Sequence, residues 1–133
     1  MFGNARLVRP RLGQGGFRAS VLDAYDRRCA VTGHKITPTL QAAHIRPVSR
    51  GGQHRVDNGL LLRSDVHTMF DLGFLTVDAT HALRVSPSLR HEFGNGEEFY
   101  AREGETVSLP TDRRLAPAAE FLEWHGDEVF RAG

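Results

Sequence analysis

Residues 40–71 read LQAAHIRPVSRGGQHRVDNGLLLRSDVHTMFD, and the succession of patterns within them decides the fold. LQAAHI (40–45) follows Pro38 and reads as a short strand. Pro47 to Asn58 mixes Pro, Ser, Gly-Gly and charges with no period, the composition of a surface excursion whose purpose is function more than packing. GLLLR (59–63) is short and apolar, a second strand. Ser64 is suited to cap a helix over 65–71, and Asp65 falls in the first turn, where the helix dipole favours an acid. Gly73 then ends that helix.

Outward from this centre, Phe17, Val21, Leu22 and Tyr25 share one helical face and predict a helix over 17–28. CAVTG (29–33) reads as a short strand running into a turn at Gly33. FLTV and ALRVS, within 74–86, alternate as a β-hairpin would. EFGNGEEFY (92–100) supplies a short helix or turn, and ETVSLP (105–110) one more strand. From Pro117 onward, Ala118, Phe121, Leu122, His125, Val129 and Phe130 mark a last helical face. Residues 1–15 are Arg, Pro and Gly without periodicity, an arm or linker, and 16–133 are expected to form one α+β domain.

With 133 residues the chain is long enough for one domain with its own core, and 40% hydrophobic residues supply that core. A single Cys excludes an internal disulfide and a four-cysteine zinc site, so any metal must be held by His, Asp, Glu or Asn. No membrane-length apolar run and no signal-peptide pattern occur, which makes the cytoplasm the expected location. The net charge of +1 hides an asymmetry: residues 1–63 hold ten Arg and one Lys against three Asp, a balance of +8, and the remainder stands at −7. An Arg-rich half attracts polyanions and can fork onto phosphates, so nucleic acid is the natural partner.

Three polar residues stand where the pattern bends: His44 at a strand end, Asn58 closing the loop, and His67 in the helix. Asp71 follows His67 by four residues, so the two side chains leave one helical face and can share one ion. Imidazole nitrogen with carboxylate oxygen suits Mg²⁺, Mn²⁺, Ni²⁺ or Zn²⁺. A histidine facing such an ion across a strand-loop-helix unit is placed to deprotonate a water. Plainer readings compete: His44 satisfied by backbone, Asn58-Gly59 as a turn pair, and His67 with Asp71 as a solvated face. His54 reads as a surface residue of the loop, Cys29 as a small core residue and His125 as a hydrogen-bonded core histidine. Arg46, Arg50, Arg55 and Arg63 flank the pattern, and at least two are expected to contact phosphates.

His44, Ile45 and Pro47, the Gly-Gly loop, DNGLLLRSD (57–65) and HTMFD (67–71) together resemble the HNH endonucleases. Those enzymes are built on a ββα-metal (His-Me finger) unit of two antiparallel strands, a loop and a helix. The resemblance is to the branch that forms the C-terminal domain of bacterial restriction endonucleases. CAVTG, AAHIRP, NGLLLRSDVH, EFGNG and the late Trp124-His125 pair all take part, so that it runs over residues 16–131. It implies an α+β fold with a ββα-metal core at 29–73, flanking helices and an added hairpin. It also implies DNA hydrolysis with one divalent ion, Mg²⁺, Mn²⁺, Ni²⁺ or Zn²⁺. By the same resemblance His44 is the general base, Asn58 braces the loop and orients that base, and His67 and Asp71 are metal ligands.

Many members carry Asp, Glu or His immediately before the base, and here that residue is Ala43, so the ion would keep fewer protein ligands and more water. A rival from another class is a catalytically inactive nucleic-acid-binding module of the same fold: Ala43 favours it, and the intact His44, Asn58, His67 and Asp71 oppose it. Restriction-type relatives place a separate recognition domain before the nuclease, and a nicking unit breaks both strands through a second nick or a homodimer partner.

Overall fold

The computed structural model describes residues 13–133. The expected arm lies outside them except at its end, where helix α1 (Gln14–Ala24) has already begun. α1 turns Phe17 and Val21 inward, both buried. It stops short of Arg28 because Asp26 and Arg27 both take left-handed backbone, φ 53°, which breaks a right-handed helix of L-residues. CAVTG is a turn and not a strand. The Gly33 N–H donates to the Cys29 carbonyl (2.9 Å), and the buried Cys29 Sγ accepts from the N–H groups of Thr32 (3.4 Å) and Arg63 (3.3 Å). A chain wrapped around its own thiol cannot also run extended along a neighbour.

β1 (Leu40–His44) and β2 (Gly59–Arg63) pair antiparallel, with Leu40 opposite Arg63 and His44 opposite Gly59. β2 packs against α1 and against helix α2 (Ser64–Asp71). Leu60, Leu61 and Leu62 are consequently all buried, which explains why the strand is apolar over 60–62 instead of alternating. α2 follows β2 directly. Ser64 is its first helical residue and not a side-chain cap; the Asp65 carboxylate instead accepts from the Val66 N–H (3.0 Å). Val66 and Phe70 form the buried face, and Gly73, φ +85°, turns the chain out of the helix.

The hairpin is present as β3 (Leu75–Val77) and β4 (Leu83–Val85), antiparallel. Helix α3 (Pro87–Phe93) follows, capped by Ser86, whose hydroxyl accepts from the Ser88 N–H (3.1 Å), and ended by Gly94 in left-handed backbone. A further turn of helix, α4 (Glu97–Tyr100), comes next. The strand expected at 105–110 reduces to one bridge between Ala82 and Thr106. α5 (Ala119–Glu128) is joined to the central loop by the Ala118 N–H on the Asp57 carbonyl (2.9 Å) and buries Phe121, Leu122 and His125. The fold is α+β, with a β1-β2-α2 unit at its centre. Among the described residues no helix is long and apolar enough to cross a membrane.

Candidate active site

The long loop between β1 and β2 is closed by the side chain of Asn58, fully buried. Its Oδ1 accepts from the Arg46 N–H, and its Nδ2 donates to the carbonyls of Arg46 and Gln53, each at 2.9 Å. One amide therefore ties the residue two after His44 to the residue just before His54. Gly52 lets the loop fold this tightly, because a Cβ there would lie 1.7 Å from the Arg46 carbonyl oxygen. His44 and His54 meet as a result: His44 Nε2 lies 2.9 Å from His54 Nδ1, with the rings edge-on. Phe17 of α1 stacks on the other side of His44, centroids 4.0 Å apart and planes 8° from parallel. That approach requires Gly59 opposite His44, since a Cβ at Gly59 would press on Val21 and Phe17.

His67 and Asp71 face the same space from α2. His67 Nδ1 donates to Gln41 Oε1 (2.7 Å), so the neutral ring keeps its lone pair on Nε2, 3.1 Å from Asp71 Oδ2. A protonated Nε2–H would donate to the carboxylate at that separation, and with that proton gone the two lone pairs can converge on a cation. The distance is also that of adjacent vertices of an octahedron with bonds of roughly 2.1 Å, whose edge is about 3.0 Å, so this pair fits a small divalent ion. A bond such as the one to Gln41 would orient the imidazole if it ligated an ion. Among the described residues no group of three or more His, Cys, Asp and Glu is arranged around an ion, so further coordination would come from water or substrate. Ala43 is buried and turned away from this role.

His44, His54, His67 and Asp71 line one open cavity of about 760 Å³, with Phe17, Arg18 and Gln41 at its walls. Partial burial, then the neighbouring His54 and His67 rings, hold the His44 imidazole below its ordinary range, while Asp71 pulls the other way. His44 is thereby kept neutral around pH 7, the form in which it accepts a proton. Nothing in the spacing of the sequence ties His54, Phe17, Arg18 or Gln41 to this cavity. Their positions depend on how α1 crosses the sheet and how the loop folds back.

The four arginines divide. Arg46 and Arg50 both lie over the Trp124 indole, guanidinium carbons 5.2 and 5.3 Å from its centre, on the loop that also lines the cavity through Pro47 and Val48. Arg55 forks onto the buried carboxylate of Asp57 (2.7 and 3.0 Å), donates to Gln53 and covers the Phe121 ring. Arg63 forks onto Asp65 (2.6 and 2.9 Å) and reaches Glu98. A phosphate would have to displace a bidentate carboxylate at either of these two, so the geometry leaves Arg46 and Arg50 as the better phosphate donors.

A sequence-family description, "HNH endonuclease", matches residues 29–78. No curated protein matches the chain. Among solved structures, a modification-dependent TagI restriction endonuclease shares the fold with a TM-score of 0.60 at 22% identity. The likeness covers 87% of this chain and 38% of that one, so this chain spans well under half of its length.

Proposed function

We propose, on the premise that residues 29–78 belong to the HNH endonuclease family, that this chain is the metal-dependent nuclease unit of a restriction-type enzyme that hydrolyses DNA phosphodiester bonds. The unit extends beyond the matched residues, because Phe17 of α1 and His125 of α5 complete the cavity walls. The observation that carries the reading is the convergence of a neutral histidine on β1 with the His67-Asp71 pair on α2 across one open cavity. A divalent ion held by His67 and Asp71 would stabilise negative charge on the scissile phosphate and on the leaving 3′-oxygen.

The protein's own part is positional and basic. His44 takes the proton of a water as its oxygen attacks phosphorus. Asn58 holds the loop so that His44 keeps its place, and Phe17 fixes the plane of its ring. Arg46 and Arg50 grip flanking phosphates. Target choice, whether a modified base or a defined site, is assigned to a separate recognition domain, and a homodimer would place two such cavities on opposite strands. A cytoplasmic location suits the lone thiol of Cys29.

Plasmid nicking with Mg²⁺, Mn²⁺, Ni²⁺ or Zn²⁺, against EDTA, tests this directly. Cleavage should need a metal and fall by roughly 10²- to 10⁴-fold in His44→Ala, with metal and DNA binding retained. In His67→Ala metal affinity itself should drop, and high metal concentration should restore part of the rate. DNA binding without cleavage under any metal would instead identify a non-catalytic binding module.

A further inference from the structure

His44 and His54 share one hydrogen bond, Nε2 to Nδ1 at 2.9 Å, so one nitrogen carries the proton and the other the lone pair. If His54 were the donor, the His44 lone pair would be spent on that bond and its proton would sit on Nδ1, leaving nothing to receive a proton from water. In the opposite arrangement His44 donates through Nε2–H and its Nδ1 lone pair is available. We propose that His54 is the positioning residue of the site: its Nδ1 accepts from His44 Nε2–H, fixes the base in the tautomer whose Nδ1 takes the proton, and stabilises the resulting imidazolium. The proposal rests on the nuclease reading above, in which His44 is the base.

The placement of His54 is built into the fold. Asn58 pins Gln53 and Arg46 by three hydrogen bonds, Phe17 backs His44 at 4.0 Å and lies 5.9 Å from the His54 ring, and both histidines line the cavity. In the step itself, water gives a proton to His44 Nδ1 and an oxygen electron pair to phosphorus. The bond from phosphorus to the 3′-oxygen breaks, that oxygen leaves with the bonding pair and is protonated by solvent, and His44 afterwards releases its proton to solvent. Throughout, the His44 Nε2–H stays on His54, the part played by the third group wherever a base is oriented by a neighbour.

The test compares His54→Ala, His54→Phe and His54→Asn in the full chain, reading single-turnover nicking and the ring-nitrogen chemical shifts of His44 at about pH 8, where an ordinary imidazole is neutral. Phenylalanine keeps the ring packing without an acceptor, and asparagine puts an oxygen close to where Nδ1 stands. Wild type and His54→Asn should show His44 as the Nε2–H tautomer, and His54→Phe and His54→Ala a mixture. Nicking should fall about 10- to 100-fold in the Phe and Ala variants, part of what a general base contributes, and recover most of the way in Asn. A His44 tautomer unchanged in both His54→Phe and His54→Ala overturns the proposal and leaves the nuclease reading standing. A wild-type chain that shows the His54-dependent tautomer but cuts no DNA overturns the nuclease reading and supports the pairing itself.

Discussion

His44, His67 and His125 carry the same side chain and differ in what their two ring nitrogens meet. His44 meets a second imidazole, and His67 meets an amide on one side and a carboxylate on the other. His125 is enclosed: its Nε2 donates to the Phe70 carbonyl (3.0 Å), so Nδ1 carries the lone pair and accepts from the Thr76 hydroxyl (2.7 Å), and the ring stacks on Phe70 at 3.7 Å. Burial pushes His125 down to about 4, although the Phe70 contact and Asp71 pull upward. Since the unfolded chain titrates near 6.5, both states are neutral above that value and the contribution to stability is complete. As pH falls from about 6.5 toward 4, only the unfolded chain takes up this proton, and stability is lost, on the order of 2–4 kcal/mol in all. Urea unfolding at neutral pH and near pH 4.5 should show that loss in the wild type. His125→Gln keeps a donor for Phe70 but has nothing to titrate, so it should lose about 2 kcal/mol less over the same interval. Equal losses in the two proteins would assign the titration to another group.

β1, β2 and α2 were legible because each rests on a local signal: LQAAHI after Pro38, the unbroken GLLLR, and Gly73 after the His67-to-Asp71 face. CAVTG misled because Val31 and Thr32 have strand propensity while Cys29 spends its sulfur on two backbone N–H groups, one of them that of Arg63, a long-range demand no window of sequence contains. The His67-Asp71 half of the site follows from helical spacing. The His44-His54 half does not, since the two lie ten positions apart across an aperiodic loop and Asn58 brings them together. Gly59 shows the same dependence between elements: it is an ordinary turn residue beside Asn58, yet in the fold it is the gap through which α1 reaches β1. A Cβ there would stand 2.8 Å from Val21 Cγ2 and 3.0 Å from Phe17 Cζ. Gly59→Ala should push α1 outward, cost about 1–3 kcal/mol as an overpacked core position, and lower nicking further by loosening Phe17 from His44. A chemical-denaturation midpoint equal to that of the wild type would mean that α1 yields freely and that the Phe17 stack places no constraint on the base.

Over the whole molecule the division of charge becomes a division of labour. Part of the acidic half is answered from within: Arg84 pairs with Asp78 and Glu103, Arg90 with Glu97, and Arg131 with Glu92. In the basic half Arg55 and Arg63 are engaged by carboxylates, whereas Arg18 lines the cavity and Arg46 and Arg50 lie over Trp124 on the neighbouring loop. The Arg50 contact to Glu128 is long, 3.8 Å between two well-exposed side chains, and is weak against a phosphate. Among the described residues, three cations around the cavity, Arg18, Arg46 and Arg50, predict a log-log slope of DNA affinity against salt of about −2.7, from −0.9 for each phosphate neutralised. Replacing Arg46 and Arg50 together with Ala should flatten the slope by one to two units. Trp124 is the single tryptophan of the chain, so its fluorescence reports the same event: DNA that draws the two guanidinium groups off the indole should change the emission of the wild type and leave that of the double variant nearly unaltered. A slope and a fluorescence response both unaffected by the double substitution would move the DNA to another face of the protein.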